Sequence, residues 1–384
     1  MRIPLAWLNL VHSKTRTVLA VAGVAFAVVL IFMQLGFLGS AEQSATLVFD
    51  ALDFDLLLRS RHYLHLVASR TFPRNRLYAA ASAPGVARVT PIYLATDFWR
   101  NPNDGSKRVM LMIGVNPGAP VFLVDEIQSQ LDLLKVPEFV LVDRKSRREF
   151  GPANERRFSD ADIGVETELS QQRVRIVGHF SLGTGFVADG AVLMSTDGFR
   201  RIRPQQAPND VSLGLVKLEP GADPEAVASQ LRKALPEDVE VVARADVCSR
   251  EIRHWVWNTS IGLIFQVGVL VALIVGAAIV YQVLSSDVTN HLPEYATLKA
   301  IGYSGNYLAS VVLQQALVLA VLGFLPGLAV SLALYTITRA AARIPIDMTL
   351  GRVVFVLALA VVMCTVSGLG ALRKVRSADP ADLF

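Results

Sequence analysis

The sequence predicts an α-helical membrane protein with four transmembrane helices and an α+β extracytoplasmic domain inserted between helices 1 and 2. Three observations lead there. Only 18% of the 384 residues are charged and 52% are hydrophobic, whereas a soluble globular chain carries about 25% charged residues. The shortfall is concentrated in four apolar runs, each near the roughly 20 residues that a helix needs to cross a bilayer core. Between the first two runs the pattern changes to short alternating segments separated by turn residues, as in a folded domain.

Residues 1–17 form a short N-terminal segment containing Arg2, Lys14 and Arg16. The first run, VLAVAGVAFAVVLIFMQLGFL, occupies 18–38. Cations ahead of an apolar stretch also mark signal peptides, but this stretch exceeds the roughly 7–15 residues of a secretory core, so a retained anchor is expected. The inserted domain covers 39–260. Val89–Trp99 and Lys107–Val115 read as strands joined through NPNDGS, and Arg173–Phe180, Val211–Leu218 and Val239–Ala243 read as further strands. Gly221–Pro236 reads as a helix, with Asp223 as N-cap, Pro224 in the first helical position and Val227, Leu231 and Leu235 on one face. The stretch from Leu123 to Arg157 has no legible period.

A further helix over Asp246–Asn258 leads towards the second run. Asp246, Arg250, Glu251 and Arg253 precede Trp255 and Trp257, an aromatic pair of the kind found at bilayer interfaces. Two readings stand together: a continuous stalk helix that carries motion out of the membrane, or simple anchoring. The second run occupies 261–283, a cytoplasmic loop with its own helix 284–307, the third run 308–334, a short outer loop 335–352, the fourth run 353–372 and a tail 373–384. None of the four runs contains Asp, Glu, Lys, Arg or His. Cations before the first run and at Arg373, Lys374 and Arg376 after the last put both termini in the cytoplasm by the positive-inside rule. Arg339, Arg343 and Arg352 flank the outer loop and run against that rule.

No chemistry of its own is legible. The net charge of +4 is modest and forms no nucleic-acid stripe. The phosphate-binding pattern G-x-x-x-x-G-K-[ST] is absent because the chain has no Gly-Lys dipeptide. His62 and His65 are spaced i, i+3 without a third ligand nearby, so surface histidines are expected rather than a metal site. Cys248 and Cys364 lie in different settings and support neither a disulfide framework nor zinc. GTGF at Gly183–Phe186 is a lone glycine turn. With no ionisable residue inside the runs, an ion pathway is not expected either; Gln34, Gln266, Gln282, Gln314 and Gln315, Gly268 and Gly276 read as packing devices. A non-catalytic subunit without bound cofactor or metal is the expectation.

The segment NHLPEYATLKAIGYSGNYL between the second and third runs is too polar to span. Pro293 suits a first helical turn, Glu294 and Lys299 match the two ends of the helix dipole, and Gly302 suits a stop. Leu292, Tyr295, Leu298 and Ile301 recur every three residues as one apolar ridge. The ridge serves either to lie on lipid or to dock a cytoplasmic partner.

LAWLNL, FMQLGF, RLYAA with VTPIY, EFGP, HLPEYATLKAIGY (His291–Tyr303), LAVLGFLPG and RSADPADLF (Arg376–Phe384) together resemble the DevC family of ABC-transporter permeases, part of the larger group of MacB- and FtsX-like permeases, from end to end. The resemblance implies a MacB-like fold and a homodimer. It implies a separate DevA-like ATP-binding subunit that docks on the 284–307 loop, making Leu292, Pro293, Glu294, Tyr295, Leu298, Lys299, Ile301 and Gly302 the coupling residues. It further implies a DevB-like periplasmic adaptor, a TolC-like outer-membrane channel, a cyanobacterial inner membrane and export of glycolipid by mechanotransmission, in which partner ATP hydrolysis moves the periplasmic domain. An FtsX-like regulator of a periplasmic cell-wall hydrolase is the alternative, and a receptor without an ATPase is disfavoured by the coupling-helix motif.

Overall fold

Backbone groups in lipid have no hydrogen-bond partners except one another, so runs of this length form helices. A computed structural model describes residues 14–152, 157–183, 188–206, 209–290, 297, 301, 305–342 and 344–377. It contains four helices long and apolar enough to cross a membrane. In chain order the elements begin with α1 (Lys14–Ala51), β1 (Leu56–Ser60), β2 (Phe72–Pro73), α2 (Asn75–Ala81), β3 (Val86–Arg100) and β4 (Lys107–Val115). Next come α3 (Asp125–Gln128), β5 (Phe139–Asp143), β6 (Glu166–Leu169), β7 (Gln172–Phe180), β8 (Ala191–Ser195) and α4 (Thr196–Ile202). Then follow β9 (Asp210–Val211), β10 (Leu213–Leu218), α5 (Pro224–Ala234), β11 (Val239–Ala243) and α6 (Arg244–Trp257). The chain closes with α7 (Ser260–Asn290), α8 (Gly305–Ala342) and α9 (Leu350–Ser377).

These elements form two units. The first combines residues up to Ser40 with Ser260–Ala342 and the chain from Ile346 onward; the second is Ala41–Thr259 with Arg343–Pro345. In the first unit, α9 packs along both α7 and α8. Small residues set how closely its helices approach. A Cβ at Gly323 would lie 2.5 Å from Val24, and one at Gly327 would lie 2.7 Å from Val28 Cγ1, so these two positions of α8 fit against α1 only as glycine. Hydroxyls then bond across helices to backbone carbonyls: Tyr335 donates to Phe32 O, and Ser367 to Ala277 O at 2.8 Å.

The outer-loop arginines have local partners. Arg339 donates to Ile346 O at 2.7 Å and pairs with the Asp347 carboxylate, while Arg352 donates to Asp347 O. Two of the three cations that run against the positive-inside pattern are thus engaged in shaping the loop itself. Arg343 lies outside the described residues.

The second unit carries nine of its strands in one sheet, in the order β11-β1-β10-β3-β4-β8-β5-β7-β6. β3 is long enough to change neighbours along its length: Val86–Ile92 pair with β10 and Tyr93–Arg100 with β4. Its end pairs again with β6, Trp99 opposite Leu169 and Arg100 opposite Glu168, which closes the last six strands into a ring. Alternation assigns each strand's two faces to different cores. Met110, Met112, Val140, Val142, Val192 and Met194 join one cluster, while Leu111, Ile113, Leu141 and Leu193 join another.

α5 is capped as its sequence predicts: the Asp223 carboxylate accepts from Glu225 N, Pro224 opens the helix, and Val227, Ala228 and Leu231 are buried. The strand expected over Val211–Leu218 is divided at Ser212. The Ser212 hydroxyl bridges to both backbone groups of Leu94, and β9 pairs with β2 instead. The stretch without a period is made of short pieces tied by side chains. Gln128 Oε1 accepts from Val121 N and Phe122 N, both at 2.9 Å, and the Trp99 indole donates to Phe150 O at 3.1 Å.

Adding side chains at the α1–α8 contact tests this packing. Gly323→Leu and Gly327→Leu are each expected to destabilise the helical unit by about 1–3 kcal/mol through overpacking, seen as an earlier transition in a denaturing-detergent titration. An unchanged transition would mean that α1 and α8 do not approach as described.

Candidate functional site

α1 runs on through Gly39 and Ser40 to Ala51, so the helix that contains the first span also enters the second unit. A helix end leaves carbonyls without intrahelical donors, and α1 has no basic residue in its last turn. Arg244, the first residue of α6, supplies the donors from 195 residues further along the chain than Phe49. Its Nη1 donates to Leu52 O at 2.8 Å and Phe54 O at 3.2 Å, and its Nη2 to Phe49 O at 3.1 Å and Asp50 O at 3.2 Å. The guanidinium also lies 4.8 Å above the Phe54 ring. A cation at this end of a helix is favoured by the helix dipole as well. One side chain therefore joins the end of α1 to the start of α6.

The turn after α1 is fixed by charge. Asp53 pairs with Lys217 at 2.8 Å and Arg88 at 3.0 Å, and Asp55 accepts from Leu218 N at 2.9 Å. Burial pushes the Asp53 carboxyl up, but Lys217 and Arg88 outweigh it and hold the group below its ordinary value.

Descending α6, successive residues meet β1 and the loop that follows it. Glu240 lies between two guanidiniums: Arg59 donates Nε and Nη2 to its Oε2 at 2.9 and 2.8 Å, and Arg250 bonds its Oε1. Burial raises the Glu240 carboxyl, and Arg250 and Arg59 pull it below normal. One residue on, Glu251 is 1% exposed and accepts from the Tyr63 hydroxyl at 2.6 Å. Arg59 covers the Tyr63 ring at 4.5 Å. Burial dominates at Glu251 and pushes its carboxyl up to about 7, against the opposing pull of Tyr63, Arg59 and the Leu66 backbone. Lower still, His65 stacks on His254 at 5.0 Å and meets Trp255 edge-on at 5.6 Å. Burial, then the charge of His254, lowers the His65 imidazole.

This arrangement revises two expectations. His62 is exposed, but His65 is half-buried within the stack rather than a surface histidine. Among the described residues, no group of three or more His, Cys, Asp or Glu is placed to hold a metal. The continuous stalk expected from Asp246 through the second span is interrupted: α6 ends at Trp257, and α7 begins at Ser260. The sequence there is Asn258-Thr259, and a threonine hydroxyl can bond to nearby backbone carbonyls. Asn258 N closes the last turn on His254 O, and the Thr259 hydroxyl takes Trp255 O at 2.6 Å. Trp255 packs in the stack, and Trp257 is 66% exposed. Of the residues read as a coupling helix, Ile301 is 71% exposed and its N–H donates to Thr297 O at 3.0 Å, a helical bond. Leu292, Pro293, Glu294, Tyr295, Leu298, Lys299 and Gly302 lie outside the described residues.

Comparison with known proteins places this geometry in context. The MacB-like periplasmic core domain family matches residues 17–234, and the FtsX-like permease C-terminal family matches residues 267–380. Uncharacterized ABC transporter permeases of Mycobacterium bovis and Mycobacterium tuberculosis are each 26% identical over 379 residues, covering 97% of this chain and 96% of the relative. Among solved structures, the periplasmic region of MacB from Actinobacillus actinomycetemcomitans is similar at a TM-score of 0.35 and 9% identity, over 53% of this chain and 94% of that one. The extracellular domain of the ABC-type transporter YknZ from Gram-positive bacteria is similar at a TM-score of 0.33 and 14% identity, over 50% of this chain and all of that one.

Two substitutions test the junction. Arg244→Ala strips donors from the end of α1 and is expected to cost about 3 kcal/mol, with faster amide exchange localised to residues 46–56. Exchange that stays at the wild-type rate there would remove Arg244 from its capping role. Glu251 is raised in the folded state, so its contribution is fully present below the unfolded value near 4.5 and is lost as pH rises through about 7. Glu251→Gln, which mimics the protonated acid, is therefore expected to match wild type at pH 4 and to exceed it by up to about 3 kcal/mol at pH 8. A variant no more stable than wild type at pH 8 would contradict the buried carboxyl.

Proposed function

Because this chain belongs to the MacB-like periplasmic core domain family and is the permease component of a MacB/FtsX-type ABC transporter, we propose that it works by mechanotransmission, with α1 as the rigid link. Membership of that family implies an ATPase partner. ATP is bound and hydrolysed by that partner, which docks on the 284–307 loop through the ridge Leu292, Tyr295, Leu298 and Ile301, beside Pro293, Glu294, Lys299 and Gly302. The observation that carries the reading is the unbroken α1, whose end is clamped by Arg244 to the first residue of α6. Movement of α1 is thereby passed to the periplasmic domain, while the interruption at Asn258-Thr259 lets α6 and α7 change their angle.

The finer assignments follow the sequence resemblance. The chain is a DevC-like homodimeric permease with both termini in the cytoplasm of a bacterial, cyanobacterial-type inner membrane. It acts with a DevB-like adaptor and a TolC-like channel, and its cargo is a lipid or glycolipid that does not pass between the four spans. Regulation of a cell-wall hydrolase, as in FtsX-like proteins, is distinguished by the partner recovered on the periplasmic side.

Breaking α1 between the units separates docking from transmission. Glu42 is exposed on α1, and Glu42→Pro removes a helix bond there. In proteoliposomes this variant is expected to retain its ATPase partner and basal hydrolysis while export falls at least about tenfold. Export at the wild-type rate would show that α1 is not the link. Leu298→Asp places a charge that must be desolvated on docking, so it is expected to lose the ATPase on co-purification; full retention would move the docking site elsewhere.

A further inference from the structure

Trp257 ends α6 with its side chain 66% exposed, and Leu64 is 59% exposed in the loop after β1. Neither belongs to the sheet cores, and the clamp between the loop and α6 leaves both uncovered. The loop is fixed against the C-terminal half of α6 at two levels: Tyr63 bonds Glu251, and His65 stacks on His254 and abuts Trp255. His254 and Trp257 are three residues apart and share one face of α6. The partners of α6 from β1 and its loop advance in order along the chain, Phe54 with Arg244, Arg59 through the shared Glu240 with Arg250, Tyr63 with Glu251, His65 with His254. The loop is therefore at the end of α6 from which the chain continues, and the second span begins at Ser260. Three residues of extended chain reach at most about 11 Å, so this end of α6 is tethered to the first residue of the second span.

Two arginines beside it are uncommitted. Arg70, in the same loop, and Arg253, on the last turns of α6, are both exposed, and neither is held by a carboxylate among the described residues. The neighbouring acids are already committed, Glu237 to Arg61 and Asp238 to Arg76. Exposed apolar side chains beside unpaired arginines match the acyl boundary and the anionic headgroups of a lipid surface respectively.

We propose that the loop Arg61–Arg70 and the last turn of α6 form a lipid-binding foot, with Leu64 and Trp257 inserted at the acyl boundary of the leaflet and Arg70 and Arg253 holding anionic phospholipid headgroups. The foot makes the bilayer a contact surface of the periplasmic domain in addition to the solvent of the spans. It does not depend on lipid being the cargo.

The test uses full-length protein in nanodiscs of phosphatidylcholine with phosphatidylglycerol, with Cys248 and Cys364 replaced by alanine. A single nitroxide is placed at Leu64→Cys or, for comparison, at Leu133→Cys, which is also exposed. At position 64 the foot predicts loss of broadening by a water-soluble nickel chelate with retained broadening by oxygen, and the reverse at position 133. Replacing Arg70 and Arg253 by glutamine is expected to restore the nickel signal at position 64, as is omitting phosphatidylglycerol. Equal nickel broadening at 64 and 133 would overturn the proposal. So would shielding of position 64 from both reagents, which would mean that protein, such as a second copy of this chain, covers the loop. Shielding that survives the double glutamine variant would overturn the headgroup contact.

Discussion

The hydrogen bonds from Arg244 to the carbonyls at the end of α1 are the constraint around which the periplasmic unit is organised. A helix that extends beyond a membrane span into a folded domain must end somewhere inside protein, and its last carbonyls need donors there. α1 carries no basic residue of its own at that end. The donor comes instead from the residue that starts α6, the helix leading back to the second span. Both connections between span and domain are consequently tied at one guanidinium. Further along α6 come the Glu240 pair of arginines, the Glu251–Tyr63 bond and the histidine stack.

The two connections differ in kind. α1 is continuous, whereas the return path is divided at Asn258-Thr259, with Thr259 turned onto the backbone of Trp255. Continuity on one side and a division on the other are what the proposed mechanotransmission requires. The Glu251–Tyr63 contact adds a local sensitivity to pH, because a carboxyl so thoroughly buried binds a proton near neutrality. The glycine contacts at Gly323 and Gly327 have the complementary role of holding α1 within its helical unit.

Much of this architecture is legible in the sequence. The length and charge-free composition of the apolar runs identified the four spans, and alternation, turn residues and caps identified the long hairpin of β3 and β4 and α5 with its Asp223 cap, because each is specified by residues adjacent in sequence. What escaped was specified by distant ones. Nothing near Arg244 marks it as the cap of a helix that ended 193 residues earlier, and Tyr63 and Glu251 are 188 residues apart. Of the two readings of the Asp246–Asn258 helix, the continuous stalk does not hold: a helical period on both sides of Asn258-Thr259 concealed the break between Trp257 and Ser260, where the Thr259 hydroxyl bonds Trp255 O. Likewise Ser212 interrupts an apparently uniform strand by bonding to Leu94. The coupling ridge at Leu292–Ile301 was legible as a pattern, and its assignment rests on sequence and family membership.

Distances measured across the junction in the working complex test the account most directly. With Cys248 and Cys364 replaced by alanine, nitroxide pairs at Glu42→Cys with Ala245→Cys and at Ala245→Cys with Leu263→Cys report the two connections by pulsed electron resonance. Measurements are made in the nucleotide-free and ATP-bound states of the permease with its ATPase. The account predicts one unchanged distance distribution for positions 42 and 245, whose helices Arg244 joins, and a shifted distribution for 245 and 263 across the division. A shift between 42 and 245 as large as that between 245 and 263 would contradict it, because the Arg244 joint would then be yielding rather than transmitting.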